Sequence, residues 1–183
     1  IPMFPQYSFA TTDASIKKIK SEFGRLKNTL ENKKIPELFV MKPFYNSDFF
    51  INCVVDKIKS FNLDNYDLIL FSYHGLPKSA ILKTPGCQLD DQCCKIGMKK
   101  NCYRSQCLET TRAVMGKLSP GLKSLSVFQS RLGRGEWIQP YTDQTLVKLA
   151  QSNTKRILIV CPSFTVDCLE TLEEIQIENK HLF

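Results

Sequence analysis

Histidine and tryptophan are nearly missing from these 183 residues, with two of the first and one of the second. Each one present is therefore worth locating. Also missing is any apolar run approaching the roughly 20 residues that a membrane helix needs. The opening IPMFPQYS has neither the basic start nor the cleavage pattern of a secretory signal, so the expectation is a soluble, cytoplasmic protein. No long Lys/Arg run interleaved with aromatics occurs, and the basic residues of KKIKSEFGRLK fall at solvent-facing helix positions, so nucleic acid is not the expected partner. There are no internal repeats and no low-complexity tracts. What the chain does have is net charge +7 (25 basic less 18 acidic residues), which suits an anionic partner such as a small polyacid or an acidic membrane surface. Its length and 43% hydrophobic content suffice for the core of one domain.

Periodicity supplies the elements. Thr11, Thr12 and Asp13 offer a helix cap, and Ile16, Ile19, Phe23, Leu26 and Leu30 recur at spacings of three and four, predicting a helix over about 14–32. PELFVM (36–41) reads as a short buried strand. Asn46 and Ser47 can cap a second helix with Phe50, Val54 and Ile58 inward, and YDLILFSY (66–73) is an uninterrupted apolar strand ending at His74. A helix over about 103–118, the strand SLSVFQ, a helix over about 143–152, the strand RILIVC and a last helix over about 167–179 complete the series. Four strands alternating with helices predict an α/β fold: a doubly wound, mostly parallel four-stranded sheet. The long polar loop 77–101 fits no element, and loops of that length in compact domains commonly carry function or disorder.

Ligands of such sheets bind beyond the carboxyl ends of the strands. Three strand-end segments converge there: His74 with Gly75 and Pro77; QSRLGRGEWIQP; and PSFTVDCLETLEE. At about 100° per residue, Asp167, Glu170 and Glu174 share one helix face within about 60° of arc, with Leu169, Leu172 and Ile175 opposite. Two readings stay open for these carboxylates: a solvated face favoured by the helix dipole, or a group that passes protons or holds a cation beside an imidazole. His74 likewise reads either as a histidine satisfied by backbone at a strand end or as a proton acceptor, since an imidazole titrates in the physiological range. Gly75 and Pro77 restrict the backbone just beyond it, which favours a held side chain.

The segments PQYSFATTD, FSYHGLP, QSRLGRGEWIQPYTD and DCLETLEEI, in this order, resemble the ferrochelatase family, whose members insert ferrous iron into a porphyrin in haem biosynthesis. The resemblance implies that His74 takes protons from the pyrrole nitrogens with Glu170 as its paired carboxylate, the two also meeting the substrate iron. It implies that Asp167 and Glu174 extend an acidic relay. Tyr7, Ser130, Arg131 and Trp137 would contact the porphyrin, with Gln129 beside them. The substrate would be protoporphyrin IX or coproporphyrin III, and basic residues would attract its propionates. Fe(II) must be released after capture, which argues for a weak, incomplete site.

Members of the family pair two Rossmann-like halves about the porphyrin, and 1–183 resembles the second half. The expectation is a single chelatase-like domain that needs its first domain or a homodimer partner and has little metallation activity alone. The insertion at about 78–102 holds Cys87, Cys93, Cys94 and Cys102, with Cys107 just beyond. It lacks the paired C-x-x-C knuckles of zinc ribbons, and disulfides are rare in a reducing compartment. Some bacterial members have a cysteine-rich insertion here that binds a 2Fe-2S cluster, which implies ligands Cys87, Cys102, Cys107 and one of Cys93 or Cys94, with Cys94 the choice. The animal arrangement, with a cysteine after the PQYS motif, does not transfer, because Phe9 occupies that position. Cys53, Cys161 and Cys168 read as buried small residues. The alternatives are a small homodimeric tetrapyrrole chelatase, which leaves GRGEW and DCLETLEEI unexplained, and a non-catalytic iron-sulfur module in which His74 is structural.

Overall fold

The computed structural model describes residues 3–29, 36–95 and 101–183. Strand β1 (Leu68–His74) is buried along both faces up to its last residue, as an unbroken apolar run requires, and so occupies the centre of the sheet. Strand β2 (Ser124–Gln129) pairs parallel to it from Ile69↔Ser124 to His74↔Gln129, and β3 (Ile157–Val160) from Leu68↔Ile157 to Phe71↔Val160. The order is β2-β1-β3.

Helices cover both faces. On one lie α2 (Asp48–Lys59), through Ile51, Val55 and Ile58, and α5 (Tyr103–Met115), through Tyr103, Cys107 and Val114. On the other, Leu146 of α6 (Thr142–Ala150) packs against Leu68, Leu70 and Val127. The architecture is thus the expected doubly wound α/β type, with three strands among the described residues where four were expected. Each fully buried large side chain, Phe71 and Ile69 among them, contributes about 2 kcal/mol of transfer free energy. Two polar pairs lie inside the core: the Tyr73 hydroxyl meets Thr111 Oγ1 at 2.7 Å, and Ser72 Oγ donates to Gln129 Oε1 at 2.7 Å.

Three expectations are corrected. Residues 36–41 form no strand: they are extended but make no ladder, and Phe39 is 80% exposed. An apolar run becomes a strand only where an open edge receives it, and the β3 edge instead borders a cavity of about 990 Å³ lined by Met41, Phe50, Val54, Leu158 and Val160. The first helix, α1 (Ala14–Thr29), is entered through a π-turn (Phe9–Asp13) whose cap is Ser8, accepting from the Thr11 N–H at 3.1 Å. None of its residues is buried, and Ile19 and Leu26 stay exposed, so its apolar stripe lies against no core. The predicted residues 30–32 fall outside the described residues. The last helix is a π-helix (Glu170–Asn179), and Asp167 precedes it.

Ser47 caps α2 as expected, accepting from the Phe50 N–H at 3.3 Å, while the Asn46 amide turns to Glu109. Among its described residues the insertion holds two short helical turns, α3 (Lys78–Ile81) and α4 (Asp91–Lys95). Cys53 is exposed, and Cys161 and Cys168 are half-buried, contrary to the expected burial. Among the described residues no helix is long and apolar enough to cross a membrane.

Candidate functional site

β1 delivers His74 to the carboxyl edge, where the chain turns through Gly75 to Pro77. The backbone there pairs with the end of β2 and with Glu136–Ile138: Gly75 N–H donates to Gln129 O at 2.7 Å, Lys78 N–H to Glu136 O at 2.9 Å, and Ile138 N–H to Leu76 O at 3.0 Å. Trp137 is thereby drawn beside Gly75, where a Cβ would stand 2.8 Å from Gln129 O and 3.3 Å from Trp137 Cε3. Only glycine permits this approach. The His74 Nδ1 lies 2.6 Å from Gly75 O. A carbonyl only accepts, so Nδ1 carries a proton in this contact, and Nε2 is the ring nitrogen left for a ligand. Phe164 flanks the imidazole, with ring centroids 6.1 Å apart.

Glu170 opens the π-helix. A hydrogen bond from the Cys168 thiol, then its own backbone N–H, then the charge of His74 hold its carboxyl below the ordinary carboxylate range. Imidazole and carboxylate therefore sense one another across the strand mouth. Asp167 accepts from Thr171 Oγ1 at 3.1 Å. Burial, followed by the charge of Glu174, pushes the Cys161 thiol up to about 12, so it remains protonated.

The Glu174 carboxylate is taken up by the end of β2. Its Oε1 accepts the Ser130 N–H at 2.6 Å, and its Oε2 accepts the Ser130 hydroxyl at 2.5 Å and Gln129 Nε2 at 3.3 Å. Gln129 Nε2 also donates to Glu170 O at 2.9 Å. The buried Gln129 thus ties the end of β2 to the two turns that carry the carboxylates.

The residues expected to contact a porphyrin are less gathered. Ser130 sits at the strand end, at φ 63°. The Arg131 guanidinium is drawn away to Asp143 at 2.5 Å and lies over the Tyr141 ring at 4.5 Å. Trp137 Nε1 donates to Leu132 O at 3.1 Å. Tyr7 is fixed through its backbone N–H to Gln106 Oε1 at 2.6 Å. Burial, then the Asp13 carboxylate, raises its phenol above the ordinary value.

In the insertion, Cys94 and Cys102 share a hydrogen bond that raises the Cys94 thiol and lowers that of Cys102. Arg104 Nη1 donates to Cys94 Sγ at 3.0 Å, and Cys93 Sγ stands 4.0 Å from Cys94 Sγ. Cys107 is fully buried, and its thiol is raised by burial first and paired with the Tyr103 hydroxyl. Among the described residues no group of three or more His, Cys, Asp or Glu is placed to hold one metal ion.

Tyr103, Phe164 and Cys168 were not legible as site residues. Cys168 carried a signal, since it lies two positions before Glu170, within reach of its carboxylate across the helix start. Tyr103 carried none, because its partner is a backbone carbonyl far away in sequence.

Fold and site together define a class: a doubly wound parallel α/β unit that presents an imidazole and a carboxylate at the carboxyl edge of its sheet. The family model for ferrochelatase matches residues 1–183, and the chain belongs to the ferrochelatase family. It is similar to the ferrochelatase of Bdellovibrio bacteriovorus, with 41% identity over 185 residues covering 100% of this chain and 54% of the relative. Similar too are those of Coxiella burnetii (41%, covering 97% and 49%) and Legionella pneumophila (40%, covering 98% and 53%). The chain spans about half the length of these relatives.

Proposed function

We propose that the chain forms one wall of an enzyme that inserts ferrous iron into a porphyrin. The carrying observation is the placement of His74 at the end of β1, beside the turn that bears Glu170, whose carboxyl is held below the ordinary range first by the Cys168 thiol and in smaller part by the His74 charge. Metallation needs two pyrrole protons removed while the ion enters, and with Nδ1 engaged by Gly75 O the Nε2 of His74 is the nitrogen that would accept one. Unprotonated His74 and Glu170 offer the substrate iron one nitrogen and one carboxylate ligand, and when His74 later takes a pyrrole proton the Glu170 carboxylate stabilises the imidazolium. Two ligands capture weakly, as transfer demands. Asp167 and Glu174 continue the acidic path outward.

Trp137 and Tyr7 supply aromatic surface for the macrocycle, and Ser130 a hydroxyl. Arg131 serves the propionates once released from Asp143. The substrate is protoporphyrin IX or coproporphyrin III, and the opposite wall comes from a further domain or a second copy. The exposed stripe of α1 and the open β3 edge favour such a partner. The reading places the protein in the cytoplasm and includes no nucleic acid.

The insertion holds a 2Fe-2S cluster in this proposal, through Cys87, Cys94, Cys102 and Cys107. The thiolate-rich donor set fits its chemistry, although the described sulfurs pair Cys94 with Cys102 and gather no three donors about one ion. Bound there, a cluster would supply a redox-active, ligand-stapled brace to the loop.

The test uses the complete natural protein. Iron insertion followed by porphyrin absorbance should fall by about a hundredfold or more in His74→Ala, the scale of a lost general base. Unchanged turnover in that variant removes the catalytic reading.

A further inference from the structure

Tyr103 stands between the cysteine insertion and His74. Its ring is buried at the base of the core, and its hydroxyl donates to the backbone carbonyl of His74 at 2.6 Å. That carbonyl belongs to the last residue of β1, where the neighbouring N–H of Gly75 already ties the turn to β2. The hydroxyl is held from a second side by Ser163 Oγ at 3.1 Å, which itself donates to Gln6 Oε1 at 3.2 Å. A phenol fixed this way sets the height and tilt of the strand end from which the imidazole projects. A buried hydrogen bond to a main-chain acceptor is short, directional and costly to leave unmade.

The other end of the tyrosine is the insertion. Tyr103 is the first residue of α5, and Cys102 is the N-cap position, in extended geometry at φ −97° and ψ 114°. Cys102 is itself 2% exposed and joined to Cys94, which is held by Arg104. Cys102 and Tyr103 are adjacent, so a backbone displacement at Cys102 is passed directly to the start of α5, where the ring is attached.

We infer that Tyr103 is a positioning residue for His74 and that it couples the state of the cysteine insertion to the strand end carrying the histidine. The inference rests on the metallation reading in one respect: the property communicated is turnover. It requires no particular occupant of the loop. Binding, loss or oxidation at Cys102 would be felt at His74 through one side chain rather than through the bulk of the core.

A double-mutant cycle tests this in the complete natural protein, with wild type, Cys102→Ser, Tyr103→Phe and the double variant assayed for iron insertion. Each single change should lower kcat by about tenfold while KM for porphyrin stays within about twofold. The double variant should be no slower than the worse single one, because both changes break the same link. Effects that multiply, an effect confined to KM, or a Tyr103→Phe protein with wild-type kcat overturns the coupling. If Cys102→Ser does not yield folded protein, Cys94→Ser removes the hydrogen-bond partner of Cys102 and takes its place under the same expectations. A wild-type protein unable to insert iron overturns the metallation reading and the inference with it; an active one with multiplying effects overturns the inference alone.

Discussion

Glu174 grips Ser130 at two points, accepting its backbone N–H at 2.6 Å and its hydroxyl at 2.5 Å. Ser130 is at φ 63°, in the left-handed region that a serine enters only when its surroundings hold it there. The carboxylate therefore fixes the direction in which the chain leaves β2 toward Arg131 and Trp137. Replacing Glu174 by Ala removes two charge-assisted bonds and releases the strained turn, with an expected loss of about 2 kcal/mol. Gln keeps one acceptor for the N–H and can donate to the hydroxyl, so about half of that loss is expected. Thermal unfolding of the two variants checks the order, and Tm values equal to that of the wild type would show that the grip contributes nothing.

Gly75 offers a second measurement. A methyl group there would meet Gln129 O at 2.8 Å and Trp137 Cε3 at 3.3 Å, and the first of these is backbone that cannot swing aside. Gly75→Ala should cost about 2 kcal/mol by overpacking and should push the indole outward. Trp137 is the chain's single tryptophan, so its emission reports on this one place. A red shift is expected, and an unshifted spectrum with unchanged Tm would contradict the close packing.

Much of this arrangement was readable in the sequence, and the physical reason differs from element to element. β1 was legible because a central parallel strand is apolar on both faces and needs no alternation. His74 was legible because a rare residue fell at its end. Residues 36–41 misled by the same logic: composition states what a segment could bury, while a free sheet edge decides whether it does. For the carboxylates the 100° projection did not apply, because Asp167 precedes the helix and the helix is π, and the partners of Glu174 lie 44 and 45 residues away, where local pattern gives no signal. Hydrogen bonds to distant backbone, such as that from Tyr103 to His74, leave no trace in local pattern.

Asp67 links stability to pH. Its carboxylate accepts the backbone N–H groups of Lys155 at 2.8 Å and Arg156 at 3.0 Å, which lowers its pKa and pins the entry of β3 beside β1. A group whose folded pKa lies below its unfolded value adds stability above the ordinary carboxylate pKa of about 4, and that contribution is lost as pH falls through the depressed folded value. Asp67→Asn should therefore lower Tm at neutral pH, with the difference from wild type closing in the acid range. A constant difference at every pH would place the effect outside this carboxylate's ionisation.

The thiols should separate by reactivity, since only thiolates that a reagent can reach are alkylated. Cys53 is exposed, whereas Cys161 is half-buried and its pKa is pushed up to about 12, first by burial and next by the Glu174 charge. At pH 8 a thiol with that value is ionised in only about one molecule in ten thousand. Cys107 is raised as well and has no exposed surface. Iodoacetamide at pH 8 followed by peptide mass spectrometry should label Cys53 first and Cys161 and Cys107 last. Removing the charge in Glu174→Gln should quicken Cys161 labelling, because one of the two leading causes of its raised pKa is gone. A native protein in which Cys161 reacts as fast as Cys53 would mean that the strand mouth is open to solvent and that the carboxylate does not face the thiol.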